Sequence, residues 1–192
     1  MKLRTHYIFS TGLLTLLDSV LFHEYFYYAL ILSGVVSVIG NSLIDRIGHK
    51  EIATRYGYIP VRTPLTHTIP RSVVWGIVSV VPVFILLLLI YYYGFSYHEY
   101  YFSLSNKVLL LILLNGVVVG PSHMLLDIFT ERGIYVKRNG RWKRFALAHF
   151  RYDNPAINGL AILLGVIMLF AAIHNHNYDY YYHYYHYYNY YF

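Results

Sequence analysis

The chain has 192 residues, 57% hydrophobic and only 12% charged, with a formal net charge of +6 and no cysteine. A soluble domain carries roughly 25% charged residues, so this composition excludes an ordinary soluble fold. The missing thiols exclude disulfides and cysteine-bound metal.

A helix that crosses a bilayer needs about 20 mostly apolar residues. The first candidate, 7–22, is the weakest, being short and interrupted by Asp18. Lys2 and Arg4 ahead of TGLLTLL look like the start of a signal peptide, but Asp18 and the lack of a small-x-small cleavage site favour a retained helix. A short turn (His23, Glu24) leads to the second span, 26–45. The loop 46–71 follows, where Pro60, Pro64 and Pro70 predict short irregular pieces. The third span, 72–93, runs into a Tyr-rich loop, YYYGFSYHEYYF, and the fourth is 107–129. In the next loop, RNGRWKR at 138–144 predicts a turn at Asn139-Gly140 between short basic strands. The fifth span is 156–173. The last residues, 178–192, form a Tyr-rich low-complexity tail suited to a membrane–water boundary, in which His183 and His186 carry no assigned chemistry. The reading is an all-α integral membrane protein, a bundle of about five transmembrane helices over 1–177 plus that tail.

Charge sets the orientation. Lys2 and Arg4, five basic residues of 46–71 and seven of 131–151 all fall on one side if five helices cross, and only Lys107 falls on the other. The positive-inside rule then puts the N-terminus and both long loops in the cytoplasm and the C-terminus outside, in a multi-pass cell-membrane protein. This distribution argues against nucleic acid as the reason for the basic charge.

Ionisable side chains within a span cost about 2.5–3.5 kcal/mol on insertion scales and call for a compensating partner. His123 and Asp127 lie one turn apart on the fourth span. Their face continues through Thr130 and back to Gly116 and Gly120, small residues that admit a neighbouring helix. The same membrane depth holds His6, Asp45, His49 and His67. Imidazole with carboxylate is the ligand set of zinc and similar divalent ions, and these six groups have the capacity for one ion or two.

The segment SHMLLDIFTERGI at 122–134 resembles the SH-x-x-x-D-x-x-T-x-x-G segment of the YdjM-like family of membrane-bound metal-dependent hydrolases, and is closest to an archaeal branch. His6 with Gly12, NSLIDRIGH at 41–49 and RTPLTHT at 62–68 follow the family's other segments in order, over roughly residues 1–150. The Asp-rich segment is reduced to Asp45, with Asn41 in place of a second acid, and the Arg-to-His spacing is one residue longer. The resemblance implies a distant kinship with zinc phospholipase C and hence phosphoester hydrolysis. On this reading His6, His67, His123 and Asp127 ligate one or two divalent ions, most simply zinc. Asp45 and His49 serve a second ion or act as acid/base groups. Arg62 and Arg71 hold an anionic headgroup of a lipid or phosphoester substrate, since arginine's fork matches phosphate. Thr66 and Thr130 cap helices or orient ligands. The alternatives are a divalent-metal transporter, for which Asp18 and Asn115 are the only polar steps toward the far side, and a non-catalytic scaffold whose basic 131–151 loop meets lipid headgroups, a nucleic acid or a cytoplasmic partner.

Overall fold

The computed structural model describes residues 1–55, 57–93 and 105–191. Each of the five apolar stretches forms a helix: α1 (Leu3–Leu21), α2 (Phe26–Gly48), α3 (Ile69–Tyr93), α4 (Asn106–Asp127) and α5 (Pro155–Tyr191). A 3₁₀ turn, His23–Tyr25, joins α1 to α2. Two antiparallel hairpins complete the elements of the described residues, β1 (His49–Thr54) with β2 (Gly57–Arg62) and β3 (Ile134–Arg138) with β4 (Arg141–Phe145).

Four segments are long and apolar enough to cross a membrane: His23–Gly48, Ile69–Tyr93, Asn106–Asp127 and Pro155–Tyr178. The first helix falls short of that description because it turns polar residues inward. Thr5, His6, Ser10, Thr15, Asp18 and Ser19 are all buried. α1 lies parallel to α5, with the Thr5 hydroxyl on Asn158 near one end and Asn175 donating to the Ser19 carbonyl near the other. Gly12 and Gly165 bring the two backbones into contact, since a Cβ on Gly12 would strike the Gly165 carbonyl.

α4 is the central helix, buried on most of its circumference. Ser105 caps it, its hydroxyl accepting from the Val108 amide at 3.3 Å. The expected small-residue face is there. Gly116 and Gly120 meet α3 at Val80 and at the Ser72 carbonyl, and Gly76 of α3 faces the Gly116 carbonyl. Beneath it Leu14, Val36, Val80, Val83, Ile112 and Val119 form the largest apolar core.

Three expectations change. The loop 46–71 is not irregular: β1 and β2 pair in register from His49↔Arg62 to Thr54↔Gly57, and the Thr63 amide closes the base on the Gly48 carbonyl at 2.8 Å. Pro60 pairs opposite Glu51 without breaking the ladder, because a two-stranded sheet has only edges, where a missing amide is tolerated. α2 runs three residues past Asp45, which places that carboxylate in its last turn. The backbone of α5 continues unbroken through the Tyr-rich segment to Tyr191, since nothing after Gly165 interrupts a helix there. The expected turn of the second loop is present, with Asn139 and Gly140 both at positive φ between β3 and β4. Most of the Tyr-rich loop after α3, including His98, lies outside the described residues, as do the side chains of His183 and His186.

Candidate metal centre

The bundle and the first hairpin bring the sequence-predicted polar residues to one point. α1 supplies His6, α2 supplies Asp45, α4 supplies His123 and Asp127, and the turn after β2 supplies His67. The β1–β2 register sets His49 directly opposite Arg62. His6, His67, His123 and Asp127 are fully buried, while Asp45 and His49 retain 22% and 24% side-chain exposure. The site therefore opens on its Asp45–His49 side.

Asp127 is the hub. Its Oδ1 accepts from Arg62 Nη2 at 2.6 Å and from the Met1 amino group at 2.8 Å, and lies 3.4 Å from His6 Nε2. Its Oδ2 is buried without a hydrogen-bond partner. That atom lies 3.2 Å from His123 Nε2 and 3.7 Å from His67 Nε2. The same two imidazole nitrogens lie 3.4 and 3.7 Å from Asp45 Oδ1. Neither Nε2 makes a hydrogen bond.

The neighbours of each ring fix its tautomer. Asn41 Nδ2 donates to the Ser37 carbonyl at 2.7 Å, so its Oδ1 is the atom that accepts from His123 Nδ1 at 2.9 Å. Thr66 gives its hydroxyl proton to the Ile44 carbonyl at 3.0 Å, so His67 Nδ1 donates to Thr66 Oγ1 at 2.9 Å. A neutral ring with its proton on Nδ1 leaves a bare lone pair on Nε2. With both rings neutral, two such lone pairs face two carboxylate oxygens, an arrangement that repels unless a metal ion lies between them or one ring takes up a proton. Burial also holds His67 down to about 4 from its ordinary 6.5, more strongly than the nearby Asp45 raises it, which keeps this ring neutral near pH 7 in the metal-binding form.

Ligand atoms about 2.0–2.2 Å from a tetrahedral zinc lie roughly 3.4 Å from one another. The four nitrogen-to-oxygen distances between the imidazoles of His67 and His123 and the carboxylates of Asp45 and Asp127 match that edge within a few tenths of an ångström. The donor set therefore fits a divalent ion, and the ligand atoms fall into two adjacent groups of three: His6, His123 and Asp127, and Asp45, His49 and His67. His6 stacks flat on His123, with centroids 3.9 Å apart and both of its nitrogens unpartnered. His49 donates from Nδ1 to the Asp45 carbonyl at 2.6 Å.

Arg62 departs from its expected role. Its guanidinium is buried, with Nη1 on Thr130 Oγ1 and the Gly133 carbonyl and Nη2 on Asp127. That placement makes it the counter-charge of Asp127. Arg71 is exposed, donates to the Pro64 carbonyl at 2.9 Å and lies over the Trp142 ring at 4.9 Å.

Two contributions were hidden in the sequence. Gly48 leaves no room for a Cβ against Thr66 and the His67 ring, and Tyr135 holds the 62–67 segment through the His67 and Arg62 carbonyls. A second buried polar group lies toward the opposite end. Asp18 accepts from Asn115 at 2.7 Å and from Ser33 at 2.9 Å. Leu14, Val36 and Val119, one on each contributing helix, fall between that group and the Ser10–Ser122–Asn41 network beside the site, together with the buried hydroxyls of Thr15 and Ser37.

A model of the family described as "Protein of unknown function (DUF1286)" matches residues 1–126, and the chain belongs to that family. The match takes in every candidate ligand except Asp127. No curated protein and no solved structure matches the chain.

Proposed function

For this member of the family, we propose a membrane-bound metal-dependent hydrolase, with the site on the cytoplasmic side and acting on a phosphoester or lipid-linked substrate. The observation that carries the proposal is the meeting of His67 Nε2, His123 Nε2 and Asp127 Oδ2, buried atoms without a hydrogen bond, with Asp45 Oδ1, each nitrogen 3.2–3.7 Å from both carboxylates, as a shared ion requires. We assign His67, His123, Asp45 and Asp127 as the ligands. His6, which the sequence placed among them, packs on His123, faces the other oxygen of Asp127 and forms a second candidate ligand group with those two residues.

A divalent ion in this site supplies Lewis acidity and activates water near neutral pH. The chain's own residues do the rest. Asn41 and Thr66 hold the two imidazoles in the Nδ1–H tautomer and aim their Nε2 atoms inward, as outer partners of metal ligands do. Arg62 fixes Asp127 and offsets its charge. His49, anchored through Nδ1 at the open side, has its Nε2 free to take or give a proton to a bound group. The apolar packing of Ile44, Met124 and Ile134 closes the site from below. The one-sided basic loops and the resemblance to the YdjM-like segments favour the cytoplasmic orientation and the hydrolytic chemistry.

A transporter draws support from the Asp18–Asn115–Ser33 group, which Ser37 of α2 extends toward Asn41, while Leu14, Val36 and Val119 fill the space beside that stripe. The test is metal content and phosphoesterase activity of purified wild-type protein and Asp127→Asn. Metal with hydrolysis in the wild type, both lost in the variant, supports the proposal. Metal-bound wild-type protein inert toward phosphoesters and carboxylic esters rejects the hydrolytic half.

A further inference from the structure

The β3–β4 hairpin carries Lys137, Arg138, Arg141, Lys143 and Arg144 and no acidic residue. All five are exposed, and none makes an ion pair among the described residues. The register even sets Arg138 directly opposite Arg141, a like-charge pairing that destabilises a ladder. The opposite end differs: its cation there, Lys107, is matched by Glu24 at 2.9 Å. Orientation of the chain during insertion needs basic residues near the helix ends. It does not need them ordered on a paired strand, and it gives no reason for half-exposed rings among them. Trp142, Phe145 and Phe150 are 39–43% exposed, and Trp142 is capped by Arg71. The hairpin links α4 to α5, both able to cross a membrane, so its place is at the membrane surface.

We propose that the β3–β4 hairpin, with Arg71, is a docking surface for anionic phospholipid headgroups, and that docking steadies the segment bearing Arg62 and His67. Uncompensated basic charge at an anionic surface supplies the attraction, arginine forks suit the phosphate, and the rings suit the interface. The mechanical link is on the same strand. The Tyr135 amide donates to the His67 carbonyl at 2.7 Å and the Tyr135 hydroxyl to the Arg62 carbonyl at 2.9 Å. Ile134 is buried beside Ile44 and Met124 under the site. A hairpin held against the membrane thus fixes the back of the 62–67 segment.

The test uses the full chain in a Trp75→Phe background, so that emission reports Trp142. Short-chain phosphatidylglycerol and phosphatidylcholine are titrated separately, and polyglutamate and single-stranded RNA serve as competing polyanions. Each basic residue at an anionic surface contributes about fivefold in affinity, so the triple variant Arg138→Gln, Arg141→Gln, Lys143→Gln is expected to bind phosphatidylglycerol about a hundredfold more weakly. The pair Arg138→Lys, Arg141→Lys, which keeps the charge, is expected to retain binding. In nanodiscs, exchange of the Tyr135 amide is expected to slow when phosphatidylglycerol replaces phosphatidylcholine, and not in the triple variant. Equal affinity of wild type and triple variant for phosphatidylglycerol, no preference over phosphatidylcholine, or tighter binding of RNA or polyglutamate overturns the docking surface. Unchanged Tyr135 exchange overturns its coupling to the 62–67 segment. Neither readout uses the metal, so failure here leaves the metal-site reading standing.

Discussion

Thr66→Val separates a metal site from a merely structural polar cluster. The change keeps volume and branching but removes the oxygen that accepts from His67 Nδ1 and donates to the Ile44 carbonyl. In a fully buried ring the stranded N–H costs about 1–3 kcal/mol, so the midpoint of chemical or thermal unfolding should fall accordingly. A structural cluster predicts that loss and nothing more. In the metal site the same bond aims Nε2 at Asp45 and Asp127, and loss of such an outer partner weakens metal binding about 10–100-fold. Zinc titration against a chelator of known strength reads this directly, with Thr66→Ser as the control that keeps the hydroxyl and restores affinity. Wild-type zinc affinity in Thr66→Val, alongside lowered stability, refutes the argument that Thr66 sets the ligand tautomer.

Gly48→Ala is expected to displace Thr66 and His67, because its Cβ meets both side chains; zinc titration should show weakened binding. Arg62→Gln breaks a buried pair with Asp127, a change that costs about 3–5 kcal/mol and is measured by the denaturation midpoint. Asp18→Asn should be nearly neutral, whereas Asp18→Leu removes the shared acceptor of Asn115 and Ser33 and leaves one Asn115 N–H unpaired, at about 1–3 kcal/mol; thermal unfolding in detergent distinguishes them. For pH, His67 in the folded chain sits at about 4, below its ordinary 6.5. The unfolded state thus binds more protons between these values, and metal-free protein should lose stability as pH falls from about 6.5 toward about 4. Replacing His67 by Gln should flatten that slope in an unfolding titration.

The helices and the ligand candidates were legible for separate reasons. Apolar length marked the spans, and the insertion cost of His123 and Asp127 marked them as residues in need of partners. The first hairpin was not legible, because Pro60 speaks against a strand until the sheet is known to have two strands only. Arg62 looked like a headgroup ligand because position alone does not show that its guanidinium is enclosed by Asp127, Thr130 and Gly133. Asp45 stands beside His67 and His123 because α2 continues three residues past it and carries the carboxylate in its last turn. Tyr135 gave no signal, since its role is to bind two main-chain carbonyls, which sequence does not display.

X-ray absorption at the zinc edge, on wild-type protein loaded with zinc and on Asp127→Asn, reads whether these residues hold an ion. The expected result is about one tightly held ion per chain in a four-coordinate shell of nitrogen and oxygen near 2.0–2.2 Å, with imidazole scattering, and loss of that shell in Asp127→Asn. A wild-type protein that retains no zinc after desalting, or an identical shell in both proteins, contradicts it.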